Sequence, residues 1–226
     1  MKYLSLLFLF LILSCNQEKT ILLPEIVNAD VTEVLDVSPI YLFYNVTKKD
    51  SIDLNRANVI TSTNWLVNVD KRLTLGQIIP EIMVLQDKKR NAEINKTKNS
   101  KNYYTCNDTS IKNLGFLEFT DVIYKTNFVL PNISPDYDNP REKRIIIDFK
   151  STGDIKFVSV FKDSIIKKTS LKNLKEDLEG LPQDASYEFF LNINDHLNFQ
   201  DYISFKSTLS KVISSKVTIN ENEFIY

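Results

Sequence analysis

The spacing of apolar residues changes along the chain, and each change marks an element. Tyr3 to Leu13 is a nearly unbroken apolar run of about eleven residues, preceded by Lys2 and followed by Ser14-Cys15. Residues 16–37 show no clean period until Ile26 and read as a tether running into a lead-in segment. The stretch 39–46 (PIYLFYNV) is dense in aromatic and β-branched residues and predicts a strand. Lys48-Lys49-Asp50 then predicts a polar turn, and 51–60 a weaker strand. The short apolar run 64–70 (NWLVNVD) predicts a central strand. Leu75, Ile78, Ile79, Ile82 and Leu85 recur at helical spacing, so a helix is predicted over 75–88. It opens on a Thr74/Gln77 capping box and carries Pro80, which would kink it or shift its start. Residues 87–102 are rich in Lys and Asn and read as a solvated polar insertion. A short helix over 109–114, closed by Gly115, and a strand over 116–125 complete the first half.

Pro131, Pro135 and Pro140, with several Asn and Asp between them, make 126–143 an expected interdomain linker. Beyond it, 144–150 (RIIIDFK), a turn at Gly153 and 155–161 predict a hairpin. Leu171, Leu174 and Leu178 predict a short helix stopped by Gly180 and Pro182. A strand over 187–193 follows. Asn198 then caps a helix bearing Phe199, Tyr202, Ile203, Phe205 and Leu209, and 216–219 and 223–226 are the last strand candidates.

The halves share this order. Sliding the chain by 124 residues lays WLVNVDKRLTLGQII over FFLNINDHLNFQDYI, so that Asn68 meets Asn192, Leu73 meets Leu197 and Ile79 meets Ile203. Each copy is a buried strand, a polar turn and a capped helix, as expected of a duplicated domain. The expected fold class is α+β: two related small domains, each a mixed sheet with two helices packed on one face. The expected division is a signal segment over 1–14, a tether over 15–37, domains over 38–125 and 144–226, and a linker over 126–143.

The turn at Val69-Asp70-Lys71-Arg72-Leu73-Thr74-Leu75-Gly76 resembles the periplasmic domain of the ExbD/TolR family of biopolymer-transport proteins. That family carries a strand ending in Ala-Asp-Lys and, a few residues on, a Gly opening a helix. Asp70, Lys71 and Gly76 fall on those positions, whereas Asn194, Asp195 and Gln200 depart from them. The resemblance implies dimerisation through sheet edges and contact with peptidoglycan or envelope proteins. It also implies a membrane helix bearing an Asp for proton-driven work. Residues 3–13 have no such carboxylate, so the motor role is not carried over.

Composition narrows the rest. With 43% hydrophobic and 25% charged residues the chain can build a core. Its formal net charge of −1 offers no basic excess for nucleic acid. Four glycines make no phosphate loop, and one histidine with two cysteines supplies too few ligands for zinc, so no cofactor or metal is expected. Cys106 reads as a buried structural residue rather than a nucleophile, because His196 lies in the other half of the chain. Asp70 and Lys71, between a strand end and a helix start, and Asp195 at the corresponding turn are the candidate binding residues. The competing reading is a turn in which Asp70 pairs locally. The terminal EFIY would template strand addition if it lay unpaired at an edge.

The N-terminus has the layout of a secretory signal. About eleven helical residues rise roughly 16 Å, short of the about twenty needed to span a bilayer. Ile12-Leu13-Ser14-Cys15 resembles the lipobox of bacterial lipoproteins, which implies diacylglycerol on the Cys15 thiol, cleavage before it and acylation of the new amine. Asn16 rather than Asp after Cys15 favours the outer membrane, on its periplasmic or surface face. The expected protein is a non-enzymatic envelope lipoprotein with a protein or peptidoglycan partner, and a homodimer through its sheet edges. The alternative is a lipid-anchored hydrolase using a carboxylate pair. A third reading is an accessory subunit of a proton-driven envelope complex.

Overall fold

The computed structural model describes residues 19–57, 59–91, 100–127, 142–162, 164–214 and 216–226. The expected signal segment, Cys15 and most of the expected linker lie outside the described residues. Two six-stranded mixed sheets, with three helices among the described residues, make an α+β fold of two sheet-bearing units.

The first sheet contains β1 (Glu25–Ile26), β2 (Val37–Tyr44), β3 (Ile52–Asn55), β4 (Asn64–Val69), β5 (Asn102–Asp108) and β6 (Asn113–Glu118). β2 and β3 form an antiparallel hairpin, and β4 runs parallel to β2. Helix α1 (Leu75–Arg90) carries the chain to β5, which is parallel to β4, and β6 turns back along β5. β1 pairs in parallel with the end of β5, beyond the residues that β4 covers. The second sheet contains β7 (Ile123–Lys125), β8 (Glu142–Ser151), β9 (Asp154–Ser159), β10 (Ser164–Thr169), β11 (Ser186–Ile193) and β12 (Val217–Ile225), in the order β10-β9-β8-β11-β12-β7. Helices α2 (Leu174–Glu179) and α3 (Phe199–Ser210) flank β11 in the chain.

The units correspond element by element. Hairpin β2–β3 matches β8–β9, and β4–α1–β5 matches β11–α3–β12. Each unit also opens on a short lead-in strand: β1 runs parallel to β5, and β7 runs parallel to β12. At the 124-residue offset, Leu75, the first residue of α1, falls on Phe199, the first of α3. The first unit adds β6 after β5, and the second adds β10 and α2, so the first has one helix among its described residues where two were expected.

The buried stripe of α1 is the predicted one, Leu75, Ile78, Ile79, Ile82 and Leu85, and the helix runs through Pro80 to Arg90. Alternation places Ile145, Ile147 and Phe149 of β8 inward, opposite Ile155 and Phe157 of β9. One continuous core joins the units: Tyr104 stacks on Phe119 at 3.9 Å between centroids and meets Phe199 edge-on at 5.1 Å.

Several expectations are corrected. Residues 109–112 are the turn of the β5–β6 hairpin, with Lys112 at φ 53°, and not a helix. Gly115 lies inside β6 and is required for space, since a Cβ there would stand 2.6 Å from Ala29 Cβ. The predicted strand 116–125 is divided, because 123–125 cross to the second sheet. The expected tether is docked over much of its length. Its backbone pairs with both units, and Ile26 is buried. Lys89, expected in solvent, is 8% exposed.

Candidate functional site

The turns after β4 and β11 face each other across an approximate two-fold axis. Leu75 N donates to Leu197 O at 2.9 Å and Phe199 N to Leu73 O at 2.7 Å; Gly76 N donates to Asp195 O at 2.8 Å and Gln200 N to Lys71 O at 3.3 Å. Shifting either member of a pair by 124 residues turns one bond into its mate. The first amides of a helix lack intrahelical acceptors. Here each helix receives them from the other unit's turn, so neither N-terminus is left open for an anion. The local caps are the predicted ones: Thr74 N donates to Gln77 Oε1 at 2.8 Å, and Asn198 Oδ1 accepts from Asp201 N at 2.8 Å.

All three candidate binding residues gather at this junction. Asp70 is fully buried, and Arg72 grips both its oxygens at 2.8 Å while stacking on Tyr44. Asp70 also accepts from Leu22 N at 3.2 Å. Burial pushes its carboxyl up, but the Arg72 side chain and the Arg72 and Leu22 amides outweigh this and hold it below the ordinary value. This is the local pairing of the competing reading, with the N-terminal strap added as a partner. Lys71 pairs with Glu25 at 2.8 Å. The Asp195 side chain meets His196 and lies over Gly76, where a Cβ would be 3.1 Å from Asp195 Oδ2. The constellation joins two units and a strap.

A second polar cluster was not legible beforehand, because its members come from four separate elements. Tyr104 Oη meets Tyr124 Oη at 2.8 Å, Tyr124 meets Tyr202 at 2.9 Å, and Tyr202 donates to Glu223 Oε2 at 2.8 Å. Lys206 closes the chain on Glu223, which is 1% exposed. Burial pushes all three phenols well above their usual range, so they stay protonated donors.

Other reactive groups are enclosed. Cys106 is fully buried, and burial pushes its thiol up to about 12. Lys89 stacks on Trp65 and donates to Thr63 O, Lys101 O and Asn102 Oδ1; burial lowers it to about 8. Asp108 is held at about 2 by the Ser110 hydroxyl and the Ala29 amide. Among the described residues no cluster of side chains could hold a metal ion, and no helix is long and apolar enough to cross a membrane.

A further surface lies at the β10 edge of the second sheet. The terminal strand β12 is paired on both sides, by β11 and β7, so EFIY is not an edge. Among the described residues, β10 pairs on one side only. It exposes Ile165 (50%) and Ile166 (57%), and Phe161 before it is 40% exposed. Beside it runs a groove of about 470 Å³ floored by Ile145, Leu181, Pro182 and Tyr187 and rimmed by Lys143 and Lys162. Compared with known proteins, the chain matches no family model, no curated protein and no solved structure.

Proposed function

We propose that this chain is a non-enzymatic lipoprotein of the cell envelope, anchored through Cys15, that binds an extended protein segment along β10. The observation that carries the reading is an unpaired edge strand with two exposed isoleucines beside an apolar groove. An edge offers main-chain donors and acceptors to an added strand, and alternate side chains would enter the groove. Lys167 and Lys168 on β10 disfavour pairing between two copies, while Lys143 and Lys162 at the rim favour an acidic partner. The order over 142–226 is hairpin, helix, strand, helix, strand, with β10 added after the hairpin. The resemblance of the Asp70 turn to the ExbD/TolR family favours a link to a transport system of that type.

A photo-cross-linking residue at position 166, in cells, tests the reading against the same residue at Val84, which is exposed on α1. The expected result is a discrete protein adduct at 166 that Ile165→Asp abolishes. Equal adducts at both positions, or none, refute it. Co-sedimentation with peptidoglycan that survives Ile165→Asp would move the partner to the cell wall.

A further inference from the structure

We infer that the folded body is held against the membrane that anchors it, with the tip of the β2–β3 hairpin, residues 45–51, resting on the lipid headgroups. The inference rests on the proposed lipidation of Cys15 and adds an orientation to it. Lys19 follows Cys15 by four positions along the chain. At about 3.5 Å per extended residue these four steps reach roughly 14 Å. Lys19 is already docked: it pairs with Asp53 of β3 and stands 5.8 Å from the Phe43 ring of β2. The chain therefore joins the body beside this hairpin.

The strap cannot pay out to lengthen the leash. Leu22 N binds buried Asp70, and Lys71 N donates to Leu22 O at 2.7 Å. Glu25 exchanges two hydrogen bonds with the Gln200 side chain, at 2.8 and 2.9 Å. Freeing these residues would expose a fully buried carboxylate and break contacts with both units.

The tip suits a bilayer surface. Asn45 Oδ1 accepts from Thr47 N at 3.0 Å and Thr47 Oγ1 at 2.7 Å, while Asn45 N donates to Ser51 O at 2.8 Å, so the turn is fixed. It holds Val46 outward at 74% exposure, next to Lys49 and to Lys48, whose ammonium pairs with Asp53 at 2.7 Å. An apolar side chain beside the Lys49 ammonium matches the boundary between acyl chains and phosphate oxygens.

The test uses the full chain purified from envelopes and placed in phosphatidylethanolamine/phosphatidylglycerol vesicles containing brominated lipid. Val46→Cys carries an environment-sensitive fluorophore. Leu35→Cys is the reference, because β2 separates the two sites by eight residues, about 26 Å. Cys106 is buried and stays unlabelled. Bromine quenching at 46 is expected to exceed that at 35 at least twofold. Inserting twenty Gly/Ser residues after Glu18 adds about 25 Å of flexible reach and should bring 46 down to the level of 35. Equal quenching at both sites in the acylated, uninserted chain overturns the orientation alone. Intact mass showing no acyl group on Cys15 overturns the anchoring and the orientation together.

Discussion

Tyr202→Phe isolates one link of the buried hydroxyl chain. The ring stays, so the packing against Tyr104 and Phe199 is kept. The hydroxyl that bridges Tyr124 and Glu223 is lost. Tyr124 still has Tyr104, but Glu223 Oε2 loses its donor at a site 1% exposed. A buried acceptor left short costs about 1–3 kcal/mol, more when charged, so about 3 kcal/mol is expected. Tyr104→Phe makes the same chemical change at the far end. There only the bond to Tyr124 goes, and Tyr124 keeps Tyr202, so the cost should be about 1 kcal/mol. With an m-value of about 3 kcal/mol/M, the urea midpoints should fall by roughly 1 M and 0.3 M. Circular dichroism and tryptophan fluorescence at Trp65 should report one transition, since a single core spans both units. Equal midpoint shifts would refute the idea that the chain's energy is concentrated at the buried carboxylate.

Gly115→Ala should cost about 1–3 kcal/mol through its clash with Ala29, and Ala29→Gly should restore most of it, read by urea denaturation and by protease cleavage within 19–31. Asp70 and Asp108 both titrate below their unfolded values, so what they contribute is complete above about pH 4 and is lost as the pH falls toward 2. Because they hold Leu22 and Ala29 amides, hydrogen exchange should show those amides losing protection before the sheets do. Lys89 is lowered to about 8, so the unfolded chain binds its proton more tightly and stability should rise between pH 8 and about 10. Lys89→Met should flatten that rise in urea midpoints taken across the range. Lys206→Met leaves Glu223 without its cation and should cost about 3–5 kcal/mol, partly recovered by adding Glu223→Gln.

The elements with a clean period were legible. Helices α1 and α3, their caps and the apolar strands β4, β8 and β11 follow from spacing alone, because one burial face decides them. β5 was not legible. Its sequence NYYTCND mixes polar and aromatic residues, and six of its seven positions are buried, since β4, β1 and β6 pair around it and Asn102, Tyr104 and Asp108 find partners inside. β10 was missed for the opposite reason: five of its six residues are exposed, and backbone pairing with β9 defines it. Gly115 was misread as a helix cap because a glycine needed for clearance looks the same in sequence as one needed for a turn. The Asp70 junction was found by its motif, but its partners Leu22 and Leu197 lie 48 and over a hundred residues away, where local reading has no reach.

The four reciprocal bonds at the starts of α1 and α3 place the chain's own second half where a symmetric partner would sit. Both halves belong to one covalent chain, so each meets the other at an effective concentration in the millimolar range, whatever the abundance of the protein. Pairing of this kind does not weaken on dilution. It also leaves the two halves free to differ: the second carries β10 and α2, and the first need not present the same edge.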